Sequence, residues 1–469
     1  MASLGFHSII AELRKLGVGV ERFFNGKFAG VSLESGRRIE NFPIISASVA
    51  YEPDLISILS VFKRWKMSHS WQDRFESEEP VFGVGGALSY INPLIFSGIA
   101  DWVVLGDGEP VVEYLVRECR NYVSHGDRRR LWEKLAEHES IYVPPIHRDQ
   151  ILSGNQVPRK KSVLTDMDKA YGKSLWVTSG AAFGRTVLVE LQRGCRRRCN
   201  YCTIPMSFGP VRVRSLDRVL EDISNVSHIG DIQIGLVTPE AGDYPGLPEL
   251  LAYLKKTEQA VSFASLRVDN MTEDMVEAVV RSKRFGLTVA PETGTDRLRA
   301  LCGKPFDNSL IVDKLMMARF IGVKQVKLYF MVGLPGEENS DIDSIPELCR
   351  EIRGKTGLRI RASVGIFVPK PLSHWEMASM IGVEEAFSKI KRLKASFAEK
   401  TLKGCSISVQ EPREALLEYA LSWSGAESID LPDETSRRSL MQIINREWPD
   451  KRLVREQLEL IGFGRASCQ

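Results

Sequence analysis

The sequence lacks any long uninterrupted apolar segment. No run approaches the roughly 18 residues that a membrane-spanning helix requires, and the N-terminus carries Glu12, Arg14 and Lys15 where a signal peptide would be apolar. These absences exclude an integral membrane protein and a typical secreted precursor. A cytoplasmic location is therefore expected.

An excess of one charge and a pattern of paired cysteines are also missing. The 63 Lys and Arg residues and the 60 Asp and Glu residues leave a net charge of +3 spread along the chain, which does not indicate nucleic-acid binding. Only three of the eight cysteines cluster, which favours a reducing compartment over a disulfide framework. The 469 residues, 43% of them hydrophobic, are enough for two or three domains with real cores.

Three cysteines lie in one short loop after a predicted strand. The run 187–191 has the composition of a buried strand that ends before Gly194, and the loop has the spacing C-x3-C-x2-C, formed by Cys195, Cys199 and Cys202. This spacing is too short for mutual disulfides and suits thiolates that bind one soft metal centre, such as an iron–sulfur cluster. A structural zinc site needs four ligands, whereas a cubane held here would keep one iron without a protein ligand. A zinc knuckle or three buried structural cysteines are the alternatives.

The strand, the cysteine loop and Tyr201 just before the last cysteine resemble the radical S-adenosylmethionine (SAM) superfamily. The resemblance implies that the three cysteines hold a [4Fe-4S] cluster whose open iron binds the amino and carboxylate groups of SAM. It implies an enzyme in which the reduced cluster cleaves SAM to a 5′-deoxyadenosyl radical that abstracts hydrogen from a substrate. Tyr201 is then expected to lie against the adenine or to cover the cluster.

Three consecutive arginines, Arg196, Arg197 and Arg198, separate the first two cysteines. Positive charge beside an anionic cluster makes the cluster easier to reduce. The same charge would also receive an acidic electron-donor protein of the flavodoxin or ferredoxin type. Three solvated loop arginines are an equally good interpretation.

Helical and strand-like segments alternate before the cysteine loop, which predicts an open, mostly parallel α/β sheet. The predicted helices are 4–16, 55–65 and 111–122, and the predicted strands are 18–24, 44–49, 81–86 and 102–105. Residues 80–115 resemble the flavodoxin-like, cobalamin-binding-type domain that precedes the radical core in uncharacterised members of the superfamily. The usual first strand of that domain is not evident here.

The cobalamin motif of that domain, Asp-x-His-x-x-Gly, is absent. None of the seven histidines lies in such a context. Cobalamin held without an axial histidine stays open but is not expected. The other interpretation is a vestigial or docking sheet in which Gly85, Gly86, Gly106 and Gly108 are plain turn glycines.

Beyond the cysteine loop, strand-and-loop segments recur at the spacing of a (βα) barrel. The segments are 187–191, 231–243, 261–269, 286–294, 326–337 and 360–371. They predict a six-stranded partial barrel that stays open, as in the family. A charged helix (389–403), a strand (405–409) and a helix (411–421) follow.

Carboxylates follow two of these strands. Relatives carry Gly-Gly-Glu after the second strand to hold the methionyl amino group, and this chain has Thr-Pro-Glu there, so Glu240 and Asp243 are the candidates. Glu292 ends the fourth strand, where barrel enzymes place ligand-holding groups. It is predicted to be the polar contact to SAM, with Arg297 and Lys304 as carboxylate partners. Helix caps or surface ion pairs are the alternative.

The end of the fifth strand is a glycine turn. The resemblance implies that Val332, Gly333 and Gly336 line the adenine pocket, since glycines let the backbone approach a flat ligand. The residues expected at the substrate opening after the sixth strand are Lys370, His374 and Trp375. The cysteines at 302, 349, 405 and 468 show no paired spacing, so no second cluster is predicted.

The combined prediction is an α/β chain in four parts. They are a flavodoxin-like, cobalamin-binding-like sheet (1–139), a linker (140–185), a radical SAM partial (βα)6 barrel (186–387) and a small α+β appendage (388–469). The predicted activity is hydrogen abstraction from an unknown substrate, serving methyl or methylthio transfer. A rearrangement or ring-forming enzyme without cobalamin and a non-catalytic iron–sulfur module are the alternatives.

Overall fold

The structure, a computed structural model, describes residues 3–24, 30–283, 286–427 and 449–463. These residues form two units. The N-terminal unit comprises residues 5–165, 370–372 and the described residues after 416, and the barrel unit comprises residues 166–369 and 373–416 with the first residues of the chain. None of the described helices is long and apolar enough to cross a membrane.

The N-terminal unit is built on a four-stranded sheet. Its strands are β1 (Ile44–Ser48), β2 (Val81–Gly85), β3 (Trp102–Val104) and β4 (Ile141–Tyr142). The first three strands are parallel, and β4 joins the edge antiparallel to β3. The helices along this part of the chain are α1 (Leu4–Lys15), α2 (Asp54–Trp65), α3 (Trp71–Glu76), α4 (Val112–His125), α5 (Arg128–Ala136) and α6 (Pro144–Leu152). The predicted open, mostly parallel α/β sheet is confirmed.

The strand predicted at 18–24 is wrong. These residues pair with no strand of the sheet. The backbone N–H of Leu33 donates to the carbonyl of Arg22, and the Arg22 guanidinium lies 2.6 Å from the carboxylate of Glu34. These two contacts tie the segment to the nearby loop. The prediction failed because a β-branched and aromatic composition favours a strand but does not say whether a partner strand is available.

A fully buried ion pair organises the core of the N-terminal unit. Asp101 accepts hydrogen bonds from Arg74 (3.1 Å), from the backbone N–H of Phe82 (2.8 Å) and from the indole of Trp132 (3.0 Å). Both charged side chains are 0% exposed. The carboxylate of Asp101 thus links α3, β2 and α5, and it neutralises the buried guanidinium of Arg74.

Replacing Asp101 by Ala is expected to destabilise the protein by about 3–5 kcal/mol, because the Arg74 charge would stay buried without its partner. Urea unfolding followed by circular dichroism measures this change. Asp101→Asn, which keeps an acceptor oxygen, should cost less. Glu137→Ala, which breaks the exposed pair with Lys134, should leave the unfolding midpoint unchanged, and equal shifts for Asp101→Ala and Glu137→Ala would contradict the argument.

The barrel unit contains nine strands. They are β5 (Thr186–Glu190), β6 (Gln192–Arg193), β7 (Arg212–Val213), β8 (Gln233–Val237), β9 (Ala260–Phe263), β10 (Gly286–Glu292), β11 (Gln325–Val332), β12 (Arg359–Ile366) and β13 (Cys405–Val409). β5, β8 and β9 form one parallel sheet, and β10 to β13 form another. A parallel bridge between Leu266 and Val289 links the two sheets. The strands therefore follow one another in chain order, as a partial barrel requires.

Helices alternate with these strands. They are α7 (Ile204–Ser207), α8 (Leu216–Ser224), α9 (Leu247–Lys256), α10 (Glu273–Arg281), α11 (Asp296–Leu301), α12 (Asn308–Ile321), α13 (Asn339–Thr356) and α14 (Val383–Phe397), followed by α15 (Pro412–Ser422) and α16 (Lys451–Leu460). Hydroxyl side chains of Ser215, Thr272 and Thr295 cap the N-termini of α8, α10 and α11. Alternate residues of β11 are buried against this helical layer, which leaves Tyr329 38% exposed on the other face.

Two strands of the barrel differ from their predicted form. The third strand ends at Phe263 and not at Asp269, since residues 268–270 form a turn of 3-10 helix. The strand 405–409 pairs in parallel with β12, so the open barrel has a seventh strand. The sequence pattern predicted the strand itself, but it could not predict that the strand pairs with β12. Cys468 lies outside the described residues.

Candidate functional site

The cysteine loop leaves the carboxyl end of β5. Gly194 begins it with φ +80°, and a Cβ there would stand 2.9 Å from the carbonyl oxygen of Phe208. Only glycine fits this turn without strain. The short antiparallel pair of β6 and β7 closes the base of the loop.

The far side of the loop is fastened to the C-terminal end of α11. The Asn200 backbone N–H donates to the carbonyl of Cys302 (3.1 Å), and its side-chain amide donates to the carbonyl of Leu301 (2.7 Å). Gly303, at φ +80°, lets the backbone of Arg198 approach so closely that a Cβ would lie 2.7 Å from its carbonyl oxygen. The backbone N–H of Trp375 donates to the Asn200 carbonyl (2.9 Å). The loop is thus held from three directions.

The thiols of Cys195, Cys199 and Cys202 lie close enough to influence one another. Burial raises the pKa of Cys202 to about 11 and also raises the pKa of Cys195, and neighbouring thiols of the trio add to both shifts. Such thiols stay protonated at neutral pH unless a metal displaces their protons. The Arg197 backbone N–H points at the Cys195 sulfur at 3.4 Å, as it would toward a metal-bound thiolate.

Three thiolates on one loop are the kind of ligands that an iron–sulfur cluster takes. Within the described ranges, no three His, Cys, Asp or Glu side chains surround a point at which one metal ion could bind. A cubane differs from an ion because each thiolate binds a different iron atom. Cys302 lies near Cys199, but its side chain is fully buried in a hydrophobic cluster with Leu298, Leu334 and Phe367.

A charged network borders the loop on the side of β8 and β9. Asp243 accepts two hydrogen bonds from the Arg197 guanidinium (3.0 and 2.5 Å) and one from Asn270 (2.9 Å). Glu240 accepts from the backbone N–H of Gly242 (3.2 Å), and burial raises the pKa of Glu240. Asp243 is thus already engaged by a guanidinium, whereas Glu240 holds only a backbone donor.

On the opposite side of the loop, Glu292 lies between a lysine and a tyrosine. Its carboxylate accepts from Lys304 Nζ (2.5 Å) and from the hydroxyl of Tyr201 (2.7 Å). Burial, followed by the charge of Glu292, raises the pKa of Tyr201 well above its usual range. Tyr201 and Trp375 both pack against the hydrophobic cluster of Cys302. The expected partnership of Glu292 with Lys304 is therefore present.

Glu292 adopts a left-handed backbone conformation, φ +68°, which is rare for a residue with a side chain. The fully buried Arg299 holds it there, because its guanidinium donates to the carbonyls of Pro291 (3.1 Å) and Thr293 (2.9 Å) on either side. A backbone forced into this conformation directs the carboxylate toward Tyr201. Sequence reasoning missed Arg299, although a basic residue in the last turn of a short helix close behind a strand end was visible.

Arg297 and Lys370 meet carboxylates far away in the sequence. Arg297 pairs with Asp341 and donates to the carbonyl of Gly336 (3.1 Å), so it braces the glycine turn and is not the partner of Glu292. Lys370 belongs to the N-terminal unit, where it lies 2.7 Å from Glu52 and 2.8 Å from Glu418. These ion pairs do not test the expectation that Lys370 lies at the substrate opening, which stays a prediction.

The turn after β11 requires glycine because of its backbone conformation and its close neighbours. Gly333 and Gly336 both have positive φ, at +82° and +75°. The backbone N–H of Gly333 donates to Glu337 (2.9 Å), and a Cβ on Gly333 would meet the side chain of Ile381 at 2.8 Å. Val332, directly before the turn, is fully buried.

A cavity of about 520 Å³ opens on the concave face of β10 to β13. Glu292 lines it at the carboxyl end of β10, and Tyr329, Ser363, Ser408 and Gln410 contribute its other polar groups. The cavity thus shares a carboxylate with the Tyr201 and Lys304 contacts described above. This is space for an organic ligand of moderate size beside the cysteine loop.

In the N-terminal unit, the space at the carboxyl ends of β2 and β3 is occupied by other segments of the same unit. Ser162 forms a parallel bridge with Gly106, and a Cβ on Gly106 would collide with the Ser162 backbone. A Cβ on Gly108 would stand 2.5 Å from Ile9, and a Cβ on Gly86 would stand 2.6 Å from the backbone of Val49. These glycines therefore accommodate neighbouring segments of the same unit.

Comparison with known proteins agrees with this architecture. The family described as "Radical SAM proteins, N-terminal" matches residues 21–144, and the family described as "Radical SAM superfamily" matches residues 189–349. An uncharacterised protein of Methanocaldococcus jannaschii is 27% identical over 86% of this chain and 79% of its own length. The tRNA-2-methylthio-N(6)-dimethylallyladenosine synthase of Chloroflexus aurantiacus is 29% identical over 36% of this chain, which spans only 38% of that enzyme.

A solved structure shares the fold of nearly the whole chain. The radical S-adenosylmethionine methyltransferase TsrM from Kitasatospora setae, with cobalamin and a [4Fe-4S] cluster bound, has a TM-score of 0.52 and 13% identity. The match covers 95% of this chain and 97% of that one. It confirms the predicted order of an N-terminal α/β domain and a partial barrel.

Two matching families together cover well over half of the sequence, and both are radical SAM families. The chain therefore belongs to the radical SAM superfamily and is a radical SAM enzyme. Membership implies a [4Fe-4S] cluster and SAM as cofactors.

Proposed function

We propose that this enzyme binds its cluster through Cys195, Cys199 and Cys202, cleaves SAM reductively, and abstracts hydrogen from a substrate in the concave cavity. The observation that carries the proposal is that the cysteine loop and the hydrogen bond between Tyr201 and Glu292 lie together at the carboxyl end of the strands. When bound, the cluster would supply the one electron that cleavage of the C5′–S bond of SAM requires.

The surrounding side chains have separate tasks in this proposal. Glu240 receives the methionyl amino group, since its carboxylate is buried and has only a backbone donor. Glu292 and Tyr201 form the polar wall toward the cavity. Val332, Gly333 and Gly336 form the wall for the adenine, where two positive-φ glycines without side chains let the backbone approach a flat ligand.

The electron comes from a separate protein in this account. Arg196 and Arg198 are exposed on the cysteine loop, whereas Arg197 is engaged by Asp243. Two solvent-facing guanidiniums close to the cluster suit an acidic one-electron donor of the flavodoxin or ferredoxin type. Such contacts act mainly on the association rate and weaken with salt.

The fate of the substrate radical separates two candidate reactions. Methylthio transfer is favoured by similarity to the tRNA-2-methylthio-N(6)-dimethylallyladenosine synthase of Chloroflexus aurantiacus. That similarity covers about a third of this chain, and the alternative is a rearrangement or ring formation without group transfer. Mass spectrometry after anaerobic reaction with SAM and dithionite distinguishes them. S-adenosylhomocysteine beside 5′-deoxyadenosine supports transfer, 5′-deoxyadenosine alone supports the alternative, and the absence of both would contradict the proposal.

Cobalamin takes no part in the proposed reaction. Anaerobic incubation with hydroxocobalamin followed by desalting is expected to leave a protein without cobalamin absorbance, because segments of the N-terminal unit fill the edge of its sheet. TsrM, whose solved structure contains cobalamin, is the positive control. Retention of cobalamin in a one-to-one ratio would show that the edge opens to admit it.

A further inference from the structure

Arg267 reaches the cysteine trio from the loop that follows β9. Its Nη1 atom lies 3.7 Å from the sulfur of Cys199, within hydrogen-bond reach of a sulfur acceptor. The Nε and Nη2 atoms of the same guanidinium each lie 2.9 Å from an oxygen of Asp269. The guanidinium therefore connects a carboxylate to a cluster cysteine.

The position of Arg267 is constrained on several sides. The side chain is only 9% exposed, and its guanidinium lies 5.8 Å from the ring centre of Phe306. Burial opposes its charge, but the hydrogen bonds to Asp269 outweigh this and raise the pKa of Arg267. The group therefore stays cationic at any pH at which the protein is folded.

Other cations near the thiols are engaged differently. Arg197 directs its guanidinium at Asp243, and Lys304 directs its ammonium at Glu292. Arg196 and Arg198 are exposed, so water and salt screen their charges. Arg267 combines burial with an N–H group aimed at a sulfur.

Reduction adds one negative charge to a cluster. Hydrogen bonds to its sulfurs and nearby positive charge favour the reduced form and raise the reduction potential. The effect is larger for a buried group than for an exposed one because the local dielectric constant is lower. Asp269, at 27% exposure, lies further toward solvent and offsets only part of this charge.

We propose that Arg267 is a positioning residue that raises the reduction potential of the cluster through a charge-assisted hydrogen bond to the Cys199 thiolate. Asp269 holds the guanidinium in the orientation that this bond requires. The inference rests on the proposed cluster ligands. It also assigns to a buried strand-end arginine the role that the sequence offered to the three loop arginines.

The test is a potentiometric titration of the anaerobically reconstituted full-length protein, followed by electron paramagnetic resonance of the reduced cluster. Arg267→Gln is expected to shift the midpoint potential to a more negative value. Arg267→Lys, which keeps the charge but loses the two-point contact with Asp269, should shift it less. Arg198→Gln is the matched control, since it removes one positive charge next to Cys199 in sequence but from an exposed position.

The outcomes are separable. A potential in Arg267→Gln equal to that of the wild type, or a shift no larger than that of Arg198→Gln, overturns the role of Arg267 while leaving the cluster assignment intact. A wild-type protein that assembles no cluster overturns both. Should Arg267→Gln fail to load iron, Arg267→Lys decides, because resonance Raman spectra should then show altered Fe–S(Cys) stretching bands. Unaltered bands and an unaltered potential in that variant would contradict the inference.

Discussion

Replacing any one of Cys195, Cys199 and Cys202 by Ala is expected to abolish the iron–sulfur cluster. In the proposed arrangement each thiolate would bind a different iron, so the two remaining thiolates would not retain a cubane against loss to solvent. Iron bound after anaerobic reconstitution should fall from about four atoms per chain to near zero. Formation of 5′-deoxyadenosine should fall below detection, because no cluster remains to deliver the electron.

The matched control is Cys302→Ala. Cys302 lies near Cys199 but is buried among apolar side chains behind the loop. This variant should keep its iron and its activity and lose only about 1 kcal/mol of stability through the small cavity. Loss of iron in Cys302→Ala would make Cys302 a fourth ligand and would remove the open iron from the account.

Replacing Glu292 by Ala is expected to have the second-largest effect. Lys304 would remain buried without its carboxylate, and Tyr201 would lose its acceptor. Removing one partner of a buried pair costs about 3–5 kcal/mol. Urea unfolding should show this loss in the cluster-free protein, so that the cluster does not contribute to the measured stability.

The double variant Glu292→Gln with Lys304→Met separates stability from function. It removes both charges together, so most of the lost stability should return. SAM binding, measured by equilibrium dialysis with the reconstituted enzyme, should remain at least about tenfold weaker if the carboxylate contributes a charge-assisted hydrogen bond to the ligand. Recovery of both stability and SAM affinity would limit Glu292 to a structural role.

Local chemistry was the most predictable part of this molecule. The cysteine spacing, the strand before it and the carboxylate at the end of the fourth barrel strand were all readable, because each depends on residues adjacent in sequence. The alternation of strands and helices predicted the partial barrel for the same reason. The pairing of Glu292 with Lys304 was also within reach, since only the six-residue helix α11 and its flanking turns separate them.

Long-range partners were not predictable from the same signals. Arg267 meets Cys199 across 68 positions of the chain, and Arg297 meets Asp341 across 44. Both arginines were visible as charges beside strand ends, but only the folded sheet determines which acceptor each one faces. Lys370 met carboxylates of the N-terminal unit for the same reason, although its sequence position pointed to the barrel.

The filled edge of the N-terminal sheet illustrates a further limit. Gly86, Gly106 and Gly108 have the spacing of ligand-binding turns, yet their missing side chains make room for Val49, Ser162 and Ile9. A glycine in a sequence indicates close approach without saying what approaches.

The most direct test of the central claim is electron paramagnetic resonance of the dithionite-reduced enzyme before and after addition of SAM. A cluster with one iron free of protein ligands binds SAM at that iron, so the signal of the reduced cluster should change shape and g-values when SAM is added. The account predicts this change in the wild type and in Cys302→Ala. A cluster signal that SAM leaves unaltered, or a reconstituted protein that binds zinc in place of iron, would contradict it.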